Sequence, residues 1–456
     1  MRLLRSILPA FLLFFTATWG IFAQPAAPQR TILTHVRVID GTGRPPIEDQ
    51  QVILADGKIL SVRSMKNPAK AGSGQEIDAT GKTLIPALIN AHGHLALVDG
   101  TKNSGTYYIQ PHVIAELRQY ERYGVLTMLS LGLNRDLIYD LRSLQQQGRL
   151  NGATVFVADR GIGVPGGAPA LAHLPDQLYL PSTPDEARDD VRAAAARKTN
   201  FIKIWVDSGH GTVPGMDPKI YRAVIDEAHK HGIKVAAHVY ALADAKQLVA
   251  DGVDILAHSV RDATLDPALI AAMKKHGVYY IPTLTVDESF FVYADHPEIL
   301  KEPFFQYAVP PQLTAMFQSD AYKKHVETDP QMAQHRSDFA TASKNLKLAY
   351  DAGIKVGFGT DSGAMPTRIP GFSEHRELQL MVAAGLTPLQ AISCATRTNA
   401  RLLNIDDDTG TIAPGKDADL LLLDGNPAEN IRNTEKIAAI WHKGRRVTPA
   451  LMLESK

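Results

Sequence analysis

The sequence predicts an α/β fold in which a (β/α)8, TIM-like barrel is joined to a small β-sandwich domain formed from both chain termini. Through the middle of the chain, near-continuous apolar strand segments alternate with helical segments eight times, which is typical of parallel strands covered by helices. At both ends, short alternating segments are separated by turn residues, and each end alone has too few strands for a stable core. The 456 residues are 45% hydrophobic, which is enough to bury a large core.

The terminal segments, 28–83 and 406–450, are predicted to pair as one composite β-sandwich domain. In the first segment, Asp56-Gly57 lies between two apolar runs and is a strong signal for a hairpin. The second segment contains GTIAPGKDADLLLLD, which has the same alternation of strand and turn residues. Because neither segment is large enough to fold alone, we expect them to share one core.

The barrel is assigned to residues 84–405. Asp217-Pro218 is expected to begin one of its helices and Gly232 to end it. Residues 287–340 are too long for a simple loop and are rich in Phe, Tyr, His and Pro, so we interpret them as a helical insertion over the barrel mouth, with a plain surface excursion as the alternative. The predicted barrel strands are 84–95, 124–132, 154–162, 201–209, 234–240, 254–260, 278–286 and 355–363.

Residues 1–23 are predicted to be a signal peptide. Arg2 and Arg5 precede an apolar stretch over 6–19, and Ala23 stands at the expected cleavage position. The apolar stretch is short for a membrane span, although a retained N-terminal anchor is an alternative. We therefore expect an exported protein, periplasmic or secreted, that is not membrane-bound once the signal is removed.

The charge balance excludes one large class of partners. The chain has 48 Lys and Arg against 48 Asp and Glu, so it lacks the basic excess that binding to nucleic acid requires. The expected partner is a small-molecule substrate. A net charge near zero does little to resist self-association, which leaves a homo-oligomer open. The single cysteine, Cys394, permits no internal disulfide.

Residues able to bind a metal stand in five of the eight predicted strands, Lys203 in the fourth strand included. In a barrel, side chains at the carboxyl ends of the strands face the mouth, where chemistry takes place. His92 and His94 are separated by one residue, so the pleat directs both imidazoles to the same side. His238, His258 and Asp361 end later strands. Each residue alone is compatible with a hydrogen-bonded position at the rim, but together they predict a metal site.

Lys203 lies inside the apolar strand segment FIKIWV. Burying an ammonium group is costly, and burial would lower its pKa and leave the amine neutral and nucleophilic. A neutral amine can take up carbon dioxide as a carbamate, an anionic ligand able to bridge two cations about 3.5–4 Å apart. The alternative is a lysine whose stem is buried while its amine reaches water or an acid at the rim.

This order of residues resembles the amidohydrolase superfamily: H-x-H on the first strand, Lys on the fourth, His on the fifth and sixth, and Asp on the eighth. IPALINAHGHL and GTIAPGKDADLLLLD are also similar to family segments. The greatest similarity is to the imidazolonepropionase-like branch that includes zinc-dependent Xaa-Pro dipeptidases. Lys203 argues against imidazolonepropionase activity itself, since that enzyme does not use a carbamylated lysine. Ala87 and Asn90 depart from the family's usual Gly and Asp, at positions that are not ligands.

The resemblance implies a binuclear site. His92, His94 and Asp361 would hold the more buried of two divalent ions, His238 and His258 the more exposed one, and Lys203, as N6-carboxylysine, would bridge them. Imidazole and carboxylate ligands suit zinc best, with manganese, cobalt or iron as alternatives. A metal-bridging hydroxide would attack the amide carbonyl of a dipeptide or N-acyl amino acid, and Asp361 would deliver the proton to the leaving nitrogen.

Beyond the ligands the sequence says less. Tyr240, two residues after His238, is a candidate donor to the substrate carbonyl, and a structural tyrosine is the alternative. Arg160, His173 and Arg368 are candidates for binding a substrate carboxylate. For each of them the alternative is a surface residue without a role in binding. His375 is interpreted as a packing or capping residue of a helix. Alternative functions are hydrolysis of a lactone, carbamate or organophosphate ester at the same site, or a non-catalytic binding protein on a relic barrel.

Overall fold

This computed structural model describes residues 30–70, 72–169, 171–209 and 211–452. The predicted signal peptide, 1–23, lies outside the described residues. In chain order the strands are β1 (Thr31–Val38), β2 (Ile47–Ala55), β3 (Lys58–Ser64), β4 (Gln75–Asp78), β5 (Thr83–Pro86), β6 (Leu88–Gly93), β7 (Val98–Asp99), β8 (Lys102–Asn103), β9 (Val125–Ser130), β10 (Thr154–Val157), β11 (Phe201–Trp205), β12 (Lys234–His238), β13 (Ile255–Ala257), β14 (Tyr279–Ile281), β15 (Lys355–Val356), β16 (Leu420–Leu423), β17 (Ile437–His442) and β18 (Arg445–Val447).

Each connection from β8 to β16 contains at least one α-helix. In chain order they are α1 (Gln110–Arg122), α2 (Leu137–Gln146), α3 (Pro184–Ala196), α4 (Pro218–Lys230), α5 (Leu242–Ala250), α6 (Pro267–His276), α7 (Thr285–Glu288), α8 (Val292–Asp295), α9 (Pro303–Gln306), α10 (Pro311–Gln318), α11 (Asp320–Thr328), α12 (Pro330–Asp351), α13 (Phe372–Ala383), α14 (Pro388–Ser393) and α15 (Asn399–Leu402). As the sequence predicted, Asp217 caps α4 by accepting from the Lys219 amide at 2.7 Å, and Pro218 is its first residue.

Strands from both ends of the chain form one eight-stranded sheet in the order β18-β17-β16-β5-β1-β2-β3, with β4 paired to β1. The predicted hairpin joins β2 and β3, with Ala55 opposite Lys58 and positive φ angles at Asp56 and Gly57. Among the described strands, the two terminal segments therefore share one continuous hydrogen-bonded sheet, and the two facing sheets of the expected β-sandwich are not shown. The reason is that β5 and β16 pair edge to edge, Ile85 opposite Leu421, which makes the two halves continuous.

The central strands are parallel and form two sheets, β10-β9-β6 and β11-β12-β13-β14-β15. Isolated parallel bridges link them, Ile162 to Ile204 on one side and Gly93 to Ser362 on the other. The α/β class predicted from the apolar strand runs is confirmed. The run 84–95 is divided, however: β5 belongs to the terminal sheet and β6 to the central strands, because the chain passes from one sheet to the other at Ala87.

Between β14 and β15 the chain is mainly helical, and its aromatic side chains pack into the main hydrophobic core. The rings of Tyr293 and Phe317 stack at 4.2 Å between centroids, and Phe305 packs edge-on against Phe372 of α13 at 5.1 Å. Tyr123 donates a hydrogen bond to the Phe304 carbonyl at 2.8 Å, which ties this segment to the end of α1. No helix within the described residues is both long enough and apolar enough to cross a bilayer.

Candidate metal centre

The strand ends bring His92, His94 and Asp361 together. Each offers a ligand atom, and these atoms all lie within 4.8 Å of one another. Asp361 Oδ1 is 3.2 Å from His92 Nε2 and 3.0 Å from His94 Nε2. The three side chains are buried, so these groups are largely shielded from bulk water. Imidazole and carboxylate groups at such separations can share one divalent cation.

His258 and His238 extend this cluster toward the cavity. The ring centroids of His92 and His258 are 4.5 Å apart, and those of His258 and His238 are 4.3 Å apart. Exposure rises along the series, from a fully buried His92 side chain to 23% for His238. The four histidines thus form one continuous group, with His238 nearest to solvent.

In three of these histidines, one ring nitrogen faces an outer partner. His94 Nδ1 lies 3.3 Å from the Gly132 carbonyl, His258 Nδ1 lies 2.7 Å from Thr283 Oγ1, and His238 Nε2 lies 2.9 Å from Asp207 Oδ2. This pattern, in which an outer group orients the ring and the second nitrogen stays available, is typical of metal-binding histidines.

His92 supplies a more direct test of whether a metal fits. Among the described residues, neither of its ring nitrogens makes an aligned hydrogen bond, although the side chain is completely buried and Asp361 Oδ1 lies 3.2 Å from Nε2. A buried polar atom without a partner is costly, and a cation at the cluster would supply one. The residues present therefore fit a metal ion.

The protonation states of the clustered histidines are also those that metal binding requires. Burial lowers the pKa of His94 to about 3, and burial together with nearby Lys203 holds the pKa of His92 well below its usual range. Burial also lowers the pKa of His258, with a further contribution from His238. These imidazoles are consequently neutral at physiological pH, which is the form that binds metals.

Lys203 is completely buried beneath the histidines, and burial lowers the pKa of its amine to about 7. Within the described part of the chain, its Nζ has no hydrogen-bond partner. The amine lies 5.4 Å from the centre of the Trp205 ring. Gly132 and Gly161, both at positive φ, leave room for that ring, since a Cβ on either would lie within 2.6 Å of it. Much of the amine is thus neutral at pH 7, as carbamate formation requires.

A buried polar network supports the first and eighth strand ends. Asn90 accepts from the His92 amide at 2.8 Å and donates to Thr360 Oγ1 at 3.0 Å and to Glu374 Oε1 at 2.7 Å. Asp361 (φ 56°), like His258 (φ 78°), has a left-handed backbone conformation, which costs energy in a residue other than glycine and is concentrated at functional sites. The network therefore helps to hold the strained ligand-bearing backbone.

A cavity of about 260 Å³ opens above the cluster. Its walls are mainly apolar, and the charged groups lining it besides Asp361 are Arg368 and Asp207. Arg368 makes an ion pair with Asp361, and burial lowers the pKa of its guanidinium to about 10, so it stays cationic. The apolar lining residues include Leu133, Pro169, Leu171, Trp205, Val213, Val286 and Met365.

Three predicted substrate residues do not line this cavity. Tyr240 donates its hydroxyl hydrogen bond to Asp338 at 3.0 Å. Arg160 is held by Asp136 at 3.2 Å and by the Tyr179 ring. His173 Nδ1 lies 3.2 Å from the Leu174 carbonyl. For Arg160 the physical reason is local, since a nearby acid and an aromatic face hold its guanidinium at a distance from the site.

Asp207 and Thr283 are site residues that the sequence reasoning missed. Both face histidines of the cluster, and Asp207 also lines the cavity. The sequence held a signal for Asp207. It follows Trp205 by two residues and Lys203 by four, so the alternation of a strand places the three side chains on one side. Thr283 offered no comparable signal, because its contact depends on the turn that follows β14.

Asp287, His335 and Asp338 form a second group of candidate ligands, with ligand atoms within 4.8 Å of one another. Its carboxylates already have partners. Arg261 Nη1 lies 3.3 Å from Asp287, and Asp338 accepts from Tyr240 and from Gln334, the latter at 2.7 Å. This group is thus neutralised and hydrogen-bonded by the protein itself.

Comparison with known proteins agrees with this geometry. Ochratoxinase from Aspergillus niger is 23% identical to the chain over 92% of this chain and 87% of its own length. The solved structure of a candidate prolidase from Bifidobacterium longum has a TM-score of 0.72 and 26% identity, and the match covers 92% of this chain and 94% of that one. A Xaa-Pro dipeptidase with bound methionine in its active site shares the fold, with a TM-score of 0.72, 22% identity, and coverage of 92% and 100%. The model of the Amidohydrolase family matches residues 83–448, which is most of the chain. The resemblance inferred from the strand-end residues is confirmed: the chain belongs to the Amidohydrolase family and is a hydrolase acting on carbon–nitrogen bonds.

Proposed function

We propose that the protein is a binuclear metal-dependent amidohydrolase that cleaves the amide bond of a small substrate such as a dipeptide or an N-acyl amino acid. The observation that carries the proposal is the buried cluster at the strand ends, where neutral histidines and Asp361 converge beneath a cavity with the Lys203 amine, which has no hydrogen-bond partner among the described residues. Two zinc ions are the best fit to this donor set.

In this proposal His92, His94 and Asp361 would hold one ion, and His238 and His258 the other. Lys203, carrying a carbamate, would lie between them. Its low pKa supports this assignment because carbamate forms from the neutral amine. When bound, the ions supply Lewis acidity to the attacking water and to the scissile carbonyl.

The chain's own residues would transfer the proton, exclude water and bind the substrate. Asp361 would accept the proton of the attacking water through its carboxylate and pass it to the leaving nitrogen. The apolar walls would exclude bulk water and hold the body of the substrate. Among the described residues, Arg368 is the permanently cationic group that lines the cavity, and in the proposal it faces the carboxylate of the substrate.

Arg368 also favours an amide over the other bonds that such a site can cleave. A dipeptide or N-acyl amino acid brings a carboxylate that can pair with this guanidinium, whereas a neutral lactone or organophosphate offers it no charged group. The names of the relatives, ochratoxinase and Xaa-Pro dipeptidase, agree with this choice. A screen of dipeptides, N-acyl amino acids and lactones on the zinc-loaded enzyme would identify the substrate class.

The central experiment measures metal content and the need for Lys203. After expression with zinc and bicarbonate, the protein should hold two ions per chain, and Lys203→Ala should lower kcat/KM by at least about 10³-fold. Short carboxylic acids should restore part of this activity by taking the place of the carbamate. The matched control is Lys234→Ala, which removes a strand lysine whose amine donates to the Leu402 carbonyl at 2.8 Å. One ion or fewer per chain would contradict the binuclear site, and undiminished turnover in Lys203→Ala would contradict the carbamate.

The scaffold and the cellular setting belong to the same proposal. The isolated bridges at both edges support an eight-stranded barrel closed around the site, with a terminal domain, 28–83 and 406–450, beside it.

We infer that residues 1–23 are removed on export to the periplasm or the medium, and N-terminal sequencing of the secreted protein would test this. The partner would be the small substrate, with no nucleic acid, and the oligomeric state can be read from light scattering.

A further inference from the structure

Asp207 follows β11 and occupies a defined place in the cavity wall. It is 9% exposed, and its Oδ1 accepts a hydrogen bond from the Gly209 amide at 2.8 Å. The backbone thus holds one carboxylate oxygen, which directs the other to the cluster. Oδ2 lies 2.9 Å from His238 Nε2, at hydrogen-bonding distance although not aligned with the ring N–H direction.

The outer partner of His238 differs in charge from those of its neighbours. His94 faces the carbonyl of Gly132 and His258 faces the hydroxyl of Thr283, both of which are neutral groups. His238 is also the least buried of these side chains, at 23% exposed against 5% for His94. The ring with the least packing around it is therefore the one that has a carboxylate beside it.

We propose that Asp207 is a positioning residue that orients His238 and strengthens the binding of a divalent cation by its other nitrogen, Nδ1. A carboxylate behind a ligand histidine selects the tautomer, limits rotation of the ring and makes the imidazole a stronger donor. The inference rests on the proposed function, because it takes His238 to be a ligand. It adds a residue that would act on the ion through His238 and would touch neither the ion nor the substrate.

The test compares zinc affinity, by competition with a chromophoric chelator, in the wild type and in Asp207→Asn. The substitution keeps the shape of the side chain and removes its charge. One of the two ions should bind about 10–100-fold more weakly, while the affinity of the other stays unchanged. Asp207→Glu, which keeps the charge, should recover part of the loss and provides a second variant if Asp207→Asn fails to fold.

The chain offers a closely matched control in Asp254. Its Oδ2 lies 2.9 Å from His229 Nε2 and also accepts from the Val235 amide at 2.8 Å, so it too is a backbone-held carboxylate beside a histidine, but away from the cluster. Asp254→Asn should leave both zinc affinities unchanged. Equal zinc affinities in Asp207→Asn and the wild type would overturn the inference alone. A wild type that binds one ion or fewer would overturn the binuclear proposal and this inference together.

Discussion

Two completely buried histidines in this molecule differ in what surrounds their ring nitrogens. His375, in α13, has Nε2 2.8 Å from the Tyr123 carbonyl and Nδ1 3.1 Å from Thr434 Oγ1. His92 has no hydrogen-bond partner on either nitrogen among the described residues. Burial alone therefore does not separate a structural histidine from a ligand. The difference lies in whether the protein itself satisfies the ring, since an unsatisfied ring needs something from outside the chain.

The first prediction concerns the removal of each imidazole ring, that of His92 and that of His375, in turn. His92→Asn should lose at least one ion per chain and lower kcat/KM by about 10³-fold or more, because the Lewis acid contributes several kcal/mol to the barrier. His375→Asn should keep the full metal content, because its ring serves packing and hydrogen bonds. Metal analysis and kinetics on both variants check this. Equal metal content in His92→Asn and the wild type would contradict the assignment of His92 as a ligand.

The sequence was sufficient to predict that the candidate ligands meet, because strand periodicity and the position of each strand's end determine where these side chains lie. Alternation places His92 and His94 on one side, and the carboxyl ends of parallel strands bring His238, His258 and Asp361 to the same edge. Local chemistry was sufficient for the hairpin at Asp56-Gly57 as well.

What the sequence did not show depends on contacts between distant residues. The single terminal sheet follows from pairing between β5 and β16, which lie more than three hundred residues apart. Arg160 was expected to meet the substrate, but Asp136 and Tyr179 hold its guanidinium elsewhere. Thr283 meets His258 only because a turn after β14 brings it there. No period or motif in one sequence encodes such contacts.

The second prediction uses pH to sharpen the comparison. Burial lowers the pKa of His375 to about 4, against an ordinary value of about 6.5. The unfolded chain therefore binds more protons than the folded chain between these values, and stability rises with pH across that window. Acidification from pH 6.5 to 4 should cost about 3 kcal/mol at this residue.

Urea unfolding of the chelator-treated protein across pH 4–7 measures this effect. Chelation removes the contribution of metal binding, which has its own pH dependence. His375→Gln should be less stable at pH 7 and should lose much of the acid-side slope, because the substituted residue does not titrate. A slope that is the same in the variant and the wild type would show that other groups dominate the acid response.

The smallest expected effect concerns the second group of candidate ligands. Asp287, His335 and Asp338 converge as closely as His92, His94 and Asp361 do, yet Arg261, Tyr240 and Gln334 already satisfy their carboxylates. His92 and His375 differ in whether the protein itself provides partners for the ring nitrogens. Because the protein provides partners for the carboxylates of this group, we expect the group to bind no ion. Asp338→Asn should leave the metal content unchanged and lower the free energy of unfolding by about 1 kcal/mol, since it weakens hydrogen bonds that the protein makes with itself. Loss of an ion from this variant, measured beside His92→Asn, would show that partner satisfaction does not distinguish structural clusters from metal sites in this chain.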